Sequence, residues 1–301
     1  MLPLAAFARS LYARGPIADP PESLMSRTDL PLPQIRRLGE TSRTDAWWLQ
    51  PTLVLLGLSA FLIYTTWAAF QGTNYFYHAG GAHYLSPFYS PLLFGQPGEP
   101  RWFDATHPSW WPLWAPFSPA FLILAGPAGM RFTCYYYRGA YYKSFWADPI
   151  SCAVGEPGFR GDKYRGEAKL PLILQNIHRY LFYPAAAFVM ILFYDAFCAM
   201  WFERPDGSGT QFGIGVGTIV LLLNAVLLGG YTFGCHCARH QIGGMLDRIS
   251  EHPIRHKCYG CVSWLNKRHM AWAWVSLVWV GCTDIYVRLL CHGVITDFRI
   301  F

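Results

Sequence analysis

Charge is what this sequence has least of: 14% of its 301 residues are Asp, Glu, Lys or Arg, against 53% hydrophobic and 17% aromatic. That shortage excludes an ordinary soluble domain, of which about a quarter is charged. Residues 1–46 are proline-rich, carry six arginines and have no apolar core of signal-peptide length, so they are expected to remain in the mature protein. The nine cysteines do not make a short secreted frame; several lie inside or beside apolar runs, which argues against a disulfide scaffold. A glycine-rich dinucleotide-binding fingerprint is also missing. The formal charge of +6 is gathered in a few segments, which speaks for membrane topology and not for nucleic acid.

What the sequence does have is five apolar runs, each long enough for a hydrocarbon core of about 30 Å. Spans are expected at 49–70, 111–133, 172–201, 212–234 and 270–290. Trp47 and Trp48 anchor the first at the interface, and Pro112, Pro116, Pro119 and Pro127 must kink the second or delay its start. The fold class that follows is an all-α integral membrane bundle of five transmembrane helices over 47–301, preceded by a cytoplasmic extension at 1–46. A long external loop fills 71–109, where His78, His83 and His107 read as ordinary loop residues. Nineteen Lys and Arg lie in 1–46, 131–169 and 239–268, against Arg101, Arg204 and Arg299 opposite. This bias is expected to place the amino terminus in the cytoplasm and the carboxyl terminus outside. The basic segments also suit anionic lipid.

Topology gathers the candidate ligands. Cys134, Cys152, His178, the Cys235-His-Cys-Ala-Arg-His240 cluster and His269 come from separate spans or loops, yet all fall at the cytoplasmic edge. On one helix His236 and His240 would share a face, four residues apart. Soft sulfur and imidazole donors at one depth suit a buried redox metal centre, and two of each make a Rieske-type [2Fe-2S] set. Haem b held by His178 with His240, or by His236 with His269, uses the same residues. The pair Cys258 and Cys261, preceded by His252 and His256, is a weaker zinc candidate. A non-redox scaffold or transporter with structural cysteines and histidines is the other class. Asp284 and Arg288 read as a salt bridge inside the bundle; Asp195 has no evident partner.

The order Thr133-Cys-Tyr-Tyr-Tyr-Arg138, Ser144-Phe-Trp, Cys152-Ala-Val, Leu172-Ile-Leu-Gln-Asn-Ile-His-Arg179, Cys235-His236 with Arg239-His240, and Arg268-His-Met270 resembles the membrane-anchor subunit of actinobacterial-type succinate dehydrogenase. That enzyme is respiratory complex II, part of the respiratory chain and the tricarboxylic acid cycle. The resemblance covers about 47–290 and implies a five-helix anchor with a Rieske-type cluster. Such a chain carries no catalytic residue of its own. Flavoprotein and iron–sulfur subunits dock on its cytoplasmic face, and electrons pass through the embedded [2Fe-2S] centre to quinone, whose contacts are not assignable. The expected ligands are His236 and His240 on one iron and Cys134 and Cys152 on the other, with Cys235 and His178 in reserve. The family pattern has a cysteine where Ala238 stands, beside Cys237, which leaves the thiolates open.

Overall fold

The computed structural model describes residues 44–112, 114–147, 170 and 172–301. Cys152 and most of the amino-terminal extension lie outside these described residues. The first helix, α1 (Leu49–Gln71), buries only Ala68 and Ala69 and leaves Leu53, Leu56, Leu62, Ile63 and Phe70 exposed. A helix apolar on all sides and this bare is one that faces lipid. It ends at Gly72, whose φ of 61° supplies the left-handed stop. The chain then forms an antiparallel hairpin, β1 (Phe76–Ala79) with β2 (Ala82–Leu85), inside the stretch expected to be irregular.

The second apolar run becomes helical only at α2 (Ala120–Thr133). Pro112, Pro116 and Pro119 delay the start, because proline has no N–H to donate and disfavours helix in the residue before it. Beyond Cys134, whose backbone is extended, the chain turns into α3 (Tyr135–Phe145). A 3-10 turn (Leu172–Ile177) leads into α4 (His178–Cys198), and a second hairpin, β3 (Trp201–Glu203) with β4 (Thr210–Phe212), leads to α5 (Val216–Phe233). Two short helices, α6 (His236–Gly243) and α7 (Pro253–Lys267), occupy the basic loop before α8 (His269–Cys291).

The molecule is therefore mostly helical with two small hairpins. Among the described residues four helices are long and apolar enough to cross a membrane: α1, Ile173–Cys198 around α4, α5 and α8. The fifth apolar helix, α2, has 14 residues, about 21 Å of rise. The bundle is centred on α5, which packs against α4 and α8. Gly230 makes the second contact possible: a Cβ there would lie 2.6 Å from the Trp272 ring. Close approach through a small residue is how helices gain packing in lipid, where there is no hydrophobic force between them.

At the hairpin end, Asp297 ties four elements together. It accepts hydrogen bonds from Tyr84 Oη (2.7 Å), Tyr286 Oη (2.6 Å) and the backbone N–H of Gly217 (2.9 Å) in the first turn of α5. The carboxylate thus caps a helix whose own N-cap, Gly215, offers no side chain. Deeper in, Arg288 donates to Asp284 at 2.8 Å with both side chains almost wholly buried, so the expected salt bridge is present. Asp195 does have a partner: Ser90 Oγ donates to it.

Candidate metal centre

At the opposite end of the bundle, four donor side chains from four different element junctions meet. Cys134 sits between α2 and α3, with φ −60° and ψ 130°, and is 1% exposed. Cys235, 2% exposed, is the extended residue between α5 and α6. His178 opens α4 and His269 opens α8. His178 Nε2 is 3.0 Å from Cys235 Sγ, and His269 Nε2 is 3.4 Å from Cys134 Sγ. The two thiols hydrogen-bond each other, which lowers the pKa of Cys134 and raises that of Cys235; His269 lowers Cys134 further.

The neighbours suit an anionic sulfur centre. Arg131, in the last turn of α2, donates to Tyr137 Oη (2.7 Å), Ser276 Oγ (2.9 Å) and the Ala273 carbonyl (3.2 Å), and its guanidinium lies 4.5 Å from the Tyr231 ring centroid. Tyr231 in turn stacks on His269, with centroids 5.1 Å apart. Thr133 Oγ1 is 2.8 Å from His178 Nδ1 and fixes the ring so that Nε2 faces sulfur. Among the described residues, His269 Nδ1 and the indole N–H of Trp272, one turn along α8, are buried polar atoms with no hydrogen-bond partner. Such orphans are rare in a finished core and point to a site built for a further group.

Two thiols and two imidazoles are a donor set that an iron–sulfur group can use, and the two imidazoles are also the kind that hold a haem. A single ion would draw its ligand atoms within a few ångströms of one point. Among the described residues only His78, His83 and Glu203, elsewhere in the fold, bring three such atoms within 4.8 Å of one another. The contacts form two imidazole–thiol pairs, His178 with Cys235 and His269 with Cys134.

Of the expected ligands, Cys134 is in this group, joined by the reserves Cys235 and His178. His269, which belonged to the inner-edge set, completes it. His236 and His240 share one face of α6, exposed, with their Nε2 atoms 2.9 Å apart. The expected fourth ligand, Cys152, lies outside the described residues. Cys258 and Cys261 stand exposed on α7 with no third ligand grouped with them among the described residues.

Fold and site together define an integral membrane helical bundle with two buried thiols and two partly buried imidazoles at one end. The family description "Actinobacterial succinate dehydrogenase subunit SdhC" matches residues 49–293, and the chain belongs to that family. It is the membrane subunit of a succinate dehydrogenase, an oxidoreductase complex. A chain of the Mycobacterium smegmatis Sdh1 complex in the apo form is similar at 42% identity and a TM-score of 0.74, over 89% of this chain and 97% of that one. A comparison with curated proteins gave no match.

Proposed function

We propose that this subunit passes electrons from an iron–sulfur partner subunit to quinone through a [2Fe-2S] group held by Cys134, Cys235, His178 and His269. The observation that carries the reading is the meeting of two buried thiols with two partly buried imidazoles, with contacts of 3.0 and 3.4 Å between imidazole and sulfur. Bound there, such a group supplies one-electron transfer, at a potential that imidazole ligation raises toward that of quinones. The chain's own residues do the rest. Thr133 orients His178, and Arg131 sets a positive charge against the Tyr231 ring that stacks on His269. A flavoprotein partner performs succinate oxidation. The partners dock on the end bearing α3, α6 and α7, where Arg138, Lys143, Arg239, Arg255 and Lys257 collect.

The bundle crosses the plasma membrane five times in this reading. The uncharged residues 108–119 extend α2 to the needed depth, and the positive-inside bias sets the amino terminus in the cytoplasm. An impermeant maleimide applied to intact cells is then expected to leave Cys152 and Cys261 unmodified, and to modify exposed Cys261 once the cells are opened. Equal labelling of Cys261 before and after opening sinks this topology.

The central test is the paramagnetic resonance spectrum of the purified, reduced complex. A [2Fe-2S] signal beyond those of the partner subunits is expected, and C134S or C235S should each remove it while the subunits still co-purify. The 2.9 Å approach of His236 and His240 favours a second ligand set, Cys134 and Cys152 with those two histidines. Retention of the signal in C235S and its loss in C152S selects that set. Haem bands in the optical spectrum of the wild-type complex, without an added [2Fe-2S] signal, overturn both in favour of the haem b alternative.

A further inference from the structure

At the hairpin end of the bundle three side chains with no part in the redox site come together. The β1–β2 turn is Gly80-Gly81, with φ of 61° and 79°. Left-handed backbone at both positions marks the two-residue turn whose twist matches that of the strands. The turn sets His78 opposite His83 in the register. Both imidazoles therefore leave the same face of the hairpin, stacked with centroids 4.3 Å apart. Gly81 serves a second purpose: a Cβ there would lie 2.4 Å from the carbonyl oxygen of Glu203, and its own carbonyl accepts the Glu203 N–H at 2.8 Å. Contact of β3 with the turn brings the Glu203 carboxylate over the imidazole pair. Its Oε2 is 3.3 Å from His78 Nε2 and its Oε1 is 3.2 Å from His83 Nε2.

We propose that His78, His83 and Glu203 bind a divalent transition-metal ion of the Zn²⁺ type. Two imidazole nitrogens and a carboxylate oxygen are a donor set that Zn²⁺ accepts, with water completing a four-coordinate shell. Hard ions such as Mg²⁺ prefer an all-oxygen octahedron and are not expected there. All three ligand atoms lie within 4.8 Å of one another, so an ion needs no rearrangement of the backbone. Burial and the neighbouring His78 hold His83 below the usual imidazole range, against the pull of Glu203, and the hydrogen bond with His78 holds Glu203 below the usual carboxylate range. Side-chain exposures of 49%, 30% and 51% for His78, His83 and Glu203 leave the site open to ions from the bulk. A bound ion would clamp the β1–β2 hairpin to β3, and through the hairpin the loop whose Ser86 reaches Asp284.

The test uses the wild-type purified complex, stripped with a chelator and then treated with diethylpyrocarbonate, with peptide masses reporting each histidine. With Zn²⁺ present, carbethoxylation of His78 and His83 is expected to fall about tenfold, while exposed His292 is modified as before and Mg²⁺ protects nothing. In the E203Q complex, half-protection should require about tenfold more Zn²⁺. Equal modification of His78 and His83 with and without Zn²⁺ overturns the proposal, as does an unchanged half-protection concentration in E203Q. The wild-type arm decides alone if E203Q fails to assemble, and neither arm depends on the buried thiols at the other end.

Discussion

Alanine at His178 or at His269 is expected to lower quinone reduction by the assembled complex by on the order of a hundredfold, because a two-iron group that loses one of four ligands is not retained. Succinate oxidation with a soluble artificial acceptor should stay within about twofold, since that reaction needs only the partner subunits. His178→Gln makes the comparison stricter. Glutamine still bonds Thr133 Oγ1, now 2.8 Å from His178 Nδ1, but provides no imidazole to the site. If packing were all that His178 contributes, the glutamine variant would keep its turnover; if ligation matters, it fails with alanine. His236→Ala and His240→Ala are the contrast, expected to cost less than about threefold because their rings meet on the exposed side of α6. The reverse pattern, with those two inactive and the His178 and His269 variants active, rules out the proposed ligands.

Why sequence favoured the other histidines can be traced to one residue. Spacing of four suggests a common face only if the helix is continuous, and reading α5 through to His240 made His236 and His240 the obvious inward pair. The chain instead breaks at Cys235, with φ −67° and ψ 148°. Helix α6 starts in a new direction, and the cysteine at the break stays with the core of α5. His269 was legible only as one more inner-edge residue, because nothing in Arg268-His-Met270 says that a helix starts there. Depth, by contrast, was legible: apolar run lengths and charge placed Cys134, His178, Cys235 and His269 at one edge, and the contacts among them bear that grouping out.

The same division holds for the fold. Long apolar runs announce α1, α4, α5 and α8 because the length of a helix in hydrocarbon is set by thickness. Local chemistry that competes with the run is harder to rank. Three prolines ahead of Ala120 were visible, but whether they kink a helix or postpone it depends on what the loop packs against. Tyr89 and Ser118 of that region turn out to be buried beneath the end of α1. The hairpin at Phe76–Leu85 escaped notice because its alternation mixes aromatic, histidine and alanine positions, a weak period-two signal without the Gly80-Gly81 turn to organise it.

Removing the Asp284 carboxylate is expected to have the largest effect on stability. Asp284 is 0% exposed; one oxygen accepts from Ser86 Oγ and the other from Tyr64 Oη (2.5 Å) and Arg288 Nε (2.8 Å). Arg288 then reaches the carbonyls of Ala68 and Thr73, each at 3.1 Å, and so caps the carboxyl end of α1. The guanidinium cannot shed its proton, so D284A strands a buried positive charge and two hydroxyl donors, a loss of about 3–5 kcal/mol. The measurable outcome is a purified complex with a clearly lowered melting temperature, or none recovered at all. D284A/R288L removes the stranded charge along with its partner and should be less destabilised than D284A, although α1 still loses its cap. Turnover per assembled complex is expected to stay within about twofold in the double variant, because the pair ties α1, the external loop and α8 together without touching the redox site. A D284N complex of normal stability whose quinone reduction is lost would show instead that the carboxylate carries protons, and the structural assignment of the pair would fall.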